Sequence, residues 1–186
     1  EEKTGYGGGR SPRGEKEKST TTATAHWNPK VKPDYSALEK YELPKNHGEA
    51  LRNLGFTTAH LVPATGIFRG QSALIHIGSW SQGAIIKESG PAQAIGFEYG
   101  SWNDPTYPNS LLGAVALIRQ TFYDADWYTE AWKTYERFPE ENDQPKEDRA
   151  LAALGDHVRN KGAFLFETDE ELAALRAGKI GSEFDI

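Results

Sequence analysis

The chain has no cysteine and no methionine. Without cysteine there can be no disulfide, no thiolate metal ligand and no thiol nucleophile. A sequence without methionine even at position 1 is expected to begin at a processed, engineered or truncated end, and the missing cysteine is compatible with export. No stretch approaches the roughly 18 consecutive apolar residues of a membrane span, and the segment contains no signal-peptide pattern. Basic charge is also scarce, with 21 Lys and Arg against 27 Asp and Glu and a net charge of −6. Nucleic acid is therefore not an expected partner, since neutralising phosphates needs a basic face. The N-terminal basic residues Arg10, Arg13, Lys16 and Lys18 are diluted by Glu15 and Glu17 and read as solvated. At 186 residues the chain can bury the core of one domain. A complete (β/α)₈ barrel needs more, roughly 200 residues at the least.

What is present is unevenly distributed. Residues 1–33 are rich in Gly, Ser, Thr, Lys and Glu and read as a low-complexity loop or disordered arm. Near its end, HWNPKVKPDY places Trp27, Val31 and Tyr35 around two prolines, like an extended arm packed onto a domain. Residues 34–186 carry the folded pattern. A short helix over 46–54 stops at Gly55, which closes helices readily in the left-handed conformation. A buried strand is expected over 56–62 and a second over 73–77, with a glycine-punctuated loop between them. Ala84 to Lys87 and Gln93 to Phe97 are further short strands, separated by Ser89-Gly90-Pro91.

From Ser110 to Arg137, apolar residues recur at three- and four-residue steps: Leu111, Val115, Ile118, Phe122, Ala125, Tyr128, Trp132 and Tyr135. That spacing predicts one long helix with one buried face, capped by Asn109 or Ser110. Its aromatic residues read as helix-to-sheet packing, with a ligand-stacking surface as the alternative. A helix from Pro145 through Val158, a turn at Asn160-Lys161-Gly162 and a buried strand from Ala163 to Glu167 follow. Thr168 and Glu171 have the spacing of a capping box opening a last helix. Helix, glycine turn, strand and loop is how a parallel α/β barrel or doubly wound sheet repeats itself.

In such scaffolds the C-terminal edge of the strands carries the chemistry, which singles out Glu167 as the catalytic candidate. The same carboxylate would also suit the adjoining helix N-terminus. Glu98 and Asp104, near other strand ends, are further carboxylates. The segment GIFRGQS, Gly66 to Ser72, suggests an anion cradle with Arg69, Gln71 and Ser72 as substrate-binding candidates. It has neither the phosphate-loop ending nor the three-glycine dinucleotide spacing, so a structural loop is the competing reading. Nor does its GQSAL stretch make a nucleophile elbow. None of the five histidines, His26, His47, His60, His76 and His157, lies at a His-x-His or His-Glu-x-x-His spacing. His60 and His76 read as hydrogen-bonded core or rim residues of strands. No metal ligand is assigned, and the residues alone reach an α/β, enzyme-like scaffold.

Three segments together resemble a known family: GFTTAHLVPATGIFRGQSALIHIG, YPNSLLGAVALIRQTFYDADWY and FLFETDEELAALRAGKIGSEFDI. They are similar to the amidohydrolase superfamily, in particular to imidazolonepropionase-like amidohydrolases of exported bacterial proteins. The resemblance covers His26 to Ile186, and the stretch from Tyr107 to Gln120 is its most specific part. It implies a central piece of a metal-dependent, TIM-type (β/α)₈ barrel, the rest of which would be this segment's partner. The parent would hydrolyse C–N bonds of a small-molecule or peptide-like amide, or a cyclic amide, with water activated by a divalent metal such as zinc. The expected location is periplasmic or secreted. One departure stands out. Where relatives carry a His-x-His near the strand Phe164-Leu-Phe-Glu167, this chain has Leu165 and Glu167. Leucine cannot bind a metal, so a catalytically silent barrel kept for binding or assembly is an alternative. A small self-contained α/β binding module is the other.

Overall fold

A computed structural model of the chain describes residues 25–39, 45–77, 86–101, 103 and 105–186. The low-complexity stretch up to residue 24, Ala84 and Asp104 lie outside the described residues, as does the side chain of His47. The elements in chain order are α1 (Lys45–Asn53), β1 (Thr58–Leu61), β2 (Phe68–His76), β3 (Ile86–Gly96), α2 (Leu111–Arg137), α3 (Arg149–Arg159), β4 (Ala163–Glu167) and α4 (Glu171–Phe184). The fold is mixed α/β, built on a curled, half-barrel sheet of four strands in the order β1-β2-β3-β4.

Only β3 and β4 run parallel; β1–β2 and β2–β3 are antiparallel. The repeated parallel unit expected from the sequence is therefore confined to one crossover, in which α2 and α3 carry the chain from β3 to β4. The other strands form a meander, because only short connections separate them and short connections favour antiparallel neighbours. Gly55 does close α1, at φ +91°. The strand after it is shorter than 56–62 and is not buried. β1 lies at the sheet's outer edge with one neighbour, its residues alternating between exposed and half-buried, and Phe56 is 54% exposed.

Two glycine-containing segments expected to be loops belong to strands. β2 begins at Phe68, so most of the supposed cradle is ladder, with a register irregularity at Gly70. Gly70 has φ +111°, and a Cβ there would sit 3.0 Å from the Tyr35 carbonyl carbon. The close passage of the arm explains the glycine. Ser89-Gly90-Pro91 does not divide two strands either. β3 continues through it, and between the Ala73↔Ser89 and Gln71↔Gln93 pairs it has two more residues than β2. A proline in a strand is tolerated where a bulge removes the need for its missing N–H.

The arm does pack onto the sheet. Val31 and Ser36 bridge Phe68 and Gln71, Lys32 N–H donates to the Phe68 carbonyl at 2.8 Å, and Gln71 N–H donates to Tyr35 at 2.7 Å. Gln93 donates from its side chain to the Pro33 carbonyl, and Asn28 to that of Tyr107.

The core lies between one face of the sheet and α2. Phe122 on α2 meets Phe68 and Phe164 edge-on at 5.3 and 5.5 Å and stacks on Phe184 at 4.6 Å. The buried face of α2 is Ala114, Leu117, Ile118, Thr121, Phe122, Ala125 and Tyr128. It coincides with the expected stripe in the middle of the helix, while Leu111, Val115, Trp132 and Tyr135 are half-buried. Ser110 is the N-cap, its Oγ accepting from Gly113 N–H at 3.2 Å. α3 starts at Arg149, with Asp148 accepting from Leu151 N–H, so Pro145 lies ahead of the helix. At α4 the expected capping box does not form. The N-cap is Glu170 and no side chain caps it, because the helix starts two residues too late for Thr168 to serve.

Candidate functional site

β3 and β4 are parallel and in register from Ala92↔Ala163 to Gly96↔Glu167, so they end side by side. Along β4, Phe164 and Phe166 pack against the core, and period-two alternation turns Leu165 and Glu167 to the opposite face. The start of antiparallel β2 reaches the same edge, because Phe68 pairs with Ile95. Three strands thus contribute side chains to one place: Arg69 from β2, Glu98 from just beyond β3, and Glu167 from the end of β4.

Arg69 is buried, and its side chain lies over Gly96. A Cβ at Gly96 would stand 2.7 Å from the guanidinium carbon, so only glycine leaves this seat open. Its Nε donates to the Gly66 carbonyl at 3.1 Å, and Nη1 forms an ion pair with Glu167 Oε2. The pair is lopsided in exposure, with side chains 10% and 64% accessible. Glu98 approaches from the other side, its Oε2 accepting from Gly66 N–H at 2.6 Å. One guanidinium and two carboxylates are therefore linked at the C-terminal edge of the parallel pair.

Of the sequence candidates, Arg69 and Glu167 are brought together. Ser72 and Gln71 are engaged elsewhere. Ser72 is fully buried and exchanges two hydrogen bonds with the Ala92 backbone, at 2.9 and 3.1 Å. Gln71 is held through its backbone by Tyr35 and Ala37, and its side chain lies beside Gly90. Sequence reasoning missed Gly96 as the seat of Arg69 and Gly66 as the link to Glu98. Nothing local marks either glycine, because each role depends on a residue from another strand or loop.

None of the described histidine side chains bonds to Arg69, Glu98 or Glu167. His60 and His76 are exposed, opposite Leu74 and Thr58 in the β1–β2 ladder. His26 is buried and accepts at Nδ1 from Asn28 N–H, while His157 Nε2 bonds the Ala163 carbonyl at 2.9 Å. Among the described residues no three His, Cys, Asp or Glu side chains converge as a metal would require. No described helix is long and apolar enough to cross a membrane.

Between β4 and α4 lies an open cavity of about 550 Å³. Its lining includes Phe164 and Phe166 of the strand and Ala177, Gly178 and Gly181 of α4.

No protein-family model and no curated protein matches the sequence. The structure is similar to that of an amidohydrolase from Thermotoga maritima MSB8, with a TM-score of 0.63 and 18% sequence identity. The likeness covers 86% of this chain and 43% of that one, so the chain spans less than half of the amidohydrolase it matches. At this identity the two share an amidohydrolase-like fold.

Proposed function

We propose that this chain is part of an amidohydrolase-like, TIM-type (β/α)₈ barrel whose parent hydrolyses C–N bonds in amides or cyclic amides. The observation that carries the proposal is the Arg69–Glu167 pair at the C-terminal edge of the parallel strands, where barrel enzymes place their chemistry. In this reading Glu167 is the carboxylate that moves protons at the scissile group, and Arg69 orients it. The rest of the parent barrel is the partner. Among the described strands β4 has a neighbour on one side only, and that edge and the cavity beside it support that reading, since an unpaired strand edge is a place for further chain. An imidazolonepropionase-like substrate and a periplasmic or secreted location belong to the same proposal.

The water-activating divalent ion, zinc in this proposal, does not fit the residues present. Leu165 offers no donor atom, Glu167 already faces a guanidinium, and no third ligand converges among the described residues. Its ligands would come from outside this segment, and none of the steps assigned to Arg69 and Glu167 runs through it.

A second reading is favoured by Leu165: a silent barrel that binds or assembles without hydrolysing. The two are separated by assaying the parent protein on a panel of amides and lactams, before and after chelation and metal return. Hydrolysis that falls on chelation, recovers with metal and drops at least tenfold in kcat in Glu167→Gln supports the enzyme. Binding without turnover, unchanged by chelator, supports the silent barrel.

A further inference from the structure

We infer that Glu98 is a positioning residue for Glu167, acting through Gly66 and the Arg69 guanidinium. The inference rests on the reading of Glu167 as the working carboxylate. It starts from Gly66, whose backbone sits at φ +108°, with space for a Cβ limited by the Lys30 carbonyl oxygen at 3.1 Å. In this conformation Gly66 offers its N–H to Glu98 and its carbonyl to Arg69 Nε. A carboxylate accepting from a backbone N–H makes a charge-assisted bond, and at 2.6 Å this one holds Gly66 firmly.

The second link follows from the shape of arginine. A guanidinium is planar, so fixing Nε fixes the plane of the whole fork. Gly96 supplies the floor under that plane, and Nη1 is then directed at Glu167. Among the described residues Arg69 is the only partner of the Glu167 side chain, which is otherwise largely in water. A flexible, solvated glutamate takes its direction from its one fixed contact. That contact depends on Glu98, from the end of the neighbouring parallel strand, although Glu98 makes no direct bond to Glu167.

The test uses the whole chain labelled with nitrogen-15 and reads the Arg69 Nε–H resonance. Glu167→Gln is expected to shift that resonance in the otherwise unaltered chain. In Glu98→Ala the same Glu167→Gln change should leave it nearly unmoved, because the fork no longer points at residue 167. Glu98→Gln keeps an oxygen that accepts from Gly66 N–H and should restore the shift. A role in folding alone would not uncouple the two residues in this way. A full shift retained in Glu98→Ala overturns the inference, as does a loss in Glu98→Gln equal to that in Glu98→Ala. Should Glu98→Ala not fold, Glu98→Asp withdraws the carboxylate by one methylene and carries the same comparison. In an active parent, Glu98→Ala should lower kcat roughly tenfold to a hundredfold with little change in KM. The resonance experiment needs no substrate. A parent without hydrolase activity would defeat the proposed function and leave this inference to be decided by the resonance alone.

Discussion

The two edges of the sheet carry comparable amounts of chemistry and treat it differently. At one edge, β1 and the adjoining end of β2 present His60 and His76, both exposed, and Phe56 near the strand is mostly in water. At the other, β4 presents Glu167 on one face while Phe164 and Phe166 pack on the other against the layer that contains Phe122 and Phe184. A polar side chain backed by a packed layer has one position to occupy; one on a bare edge has many. Arg69 is buried over Gly96 and bound at Nε and Nη1, whereas neither strand histidine forms part of a metal-competent cluster among the described residues. Precise placement, more than the presence of titratable groups, distinguishes the candidate site.

The comparison breaks most easily at the core. Phe122→Ala should cost about 3–5 kcal/mol, as expected for a buried aromatic that loses three ring contacts. Phe56→Ala should change stability by about 0.5 kcal/mol or less. Urea unfolding of both variants checks this, and equal losses would erase the distinction between the two edges.

In the middle of the sheet the expected effect is smaller. Ser72→Ala removes a buried hydroxyl and leaves the Ala92 N–H and carbonyl without that partner, at about 1–3 kcal/mol. Thr58→Ala, at an exposed position of β1, should lie within about 0.5 kcal/mol. If the two are indistinguishable by thermal unfolding, β2 is no better anchored than the edge.

Helix ends sharpen the same contrast. Asp148→Ala removes the cap of α3 and should cost about 1 kcal/mol, whereas Glu170→Ala removes no capping bond and should cost a few tenths at most. Circular dichroism melts of the pair measure the difference. A larger loss at Glu170 would mean that its charge, next to the α4 N-terminus, outweighs a formed cap.

At the site itself the expected stability change is also small. Glu167→Gln is expected to cost less than about 1 kcal/mol, because the carboxylate is mostly solvated, and the cost should shrink in high salt. Denaturant titrations at low and high salt test that. A large, salt-independent loss would make the ion pair a structural element and weaken its reading as a functional one.

Much of the helical layer could be read from the sequence. Ser110 before a stripe containing Ile118, Phe122, Ala125 and Tyr128 specifies both the start of α2 and its inward face, since capping and a 3.6-residue period are local properties. β4, from Ala163 to Glu167, and the turn before it were equally plain in span, although the strand is not buried as expected: its residues alternate between exposed and half-buried at the edge of the described sheet. The sheet was less so. Gly70 and Ser89-Gly90-Pro91 look like chain breaks, yet each marks an irregularity inside a strand, because a glycine signals an unusual conformation without saying whether pairing stops there. Thr168 and Glu171 have the right spacing for a capping box, and spacing does not decide where the first helical turn falls. Strand direction was also hidden: apolar runs look much the same in parallel and antiparallel sheets.

By itself, then, the sequence determined which segments would be helical, which faces they would bury and which charged residues stood near strand ends. These follow from side-chain periodicity and backbone preferences that act over a few residues. Only the tertiary structure decided that β1 to β3 would form a meander, that Gly96 would leave a seat for Arg69, and that Arg69 would meet Glu167 across 98 residues of chain. An encounter at that separation depends on strand order and on the space left by a third residue, and neither is encoded at the two positions that meet.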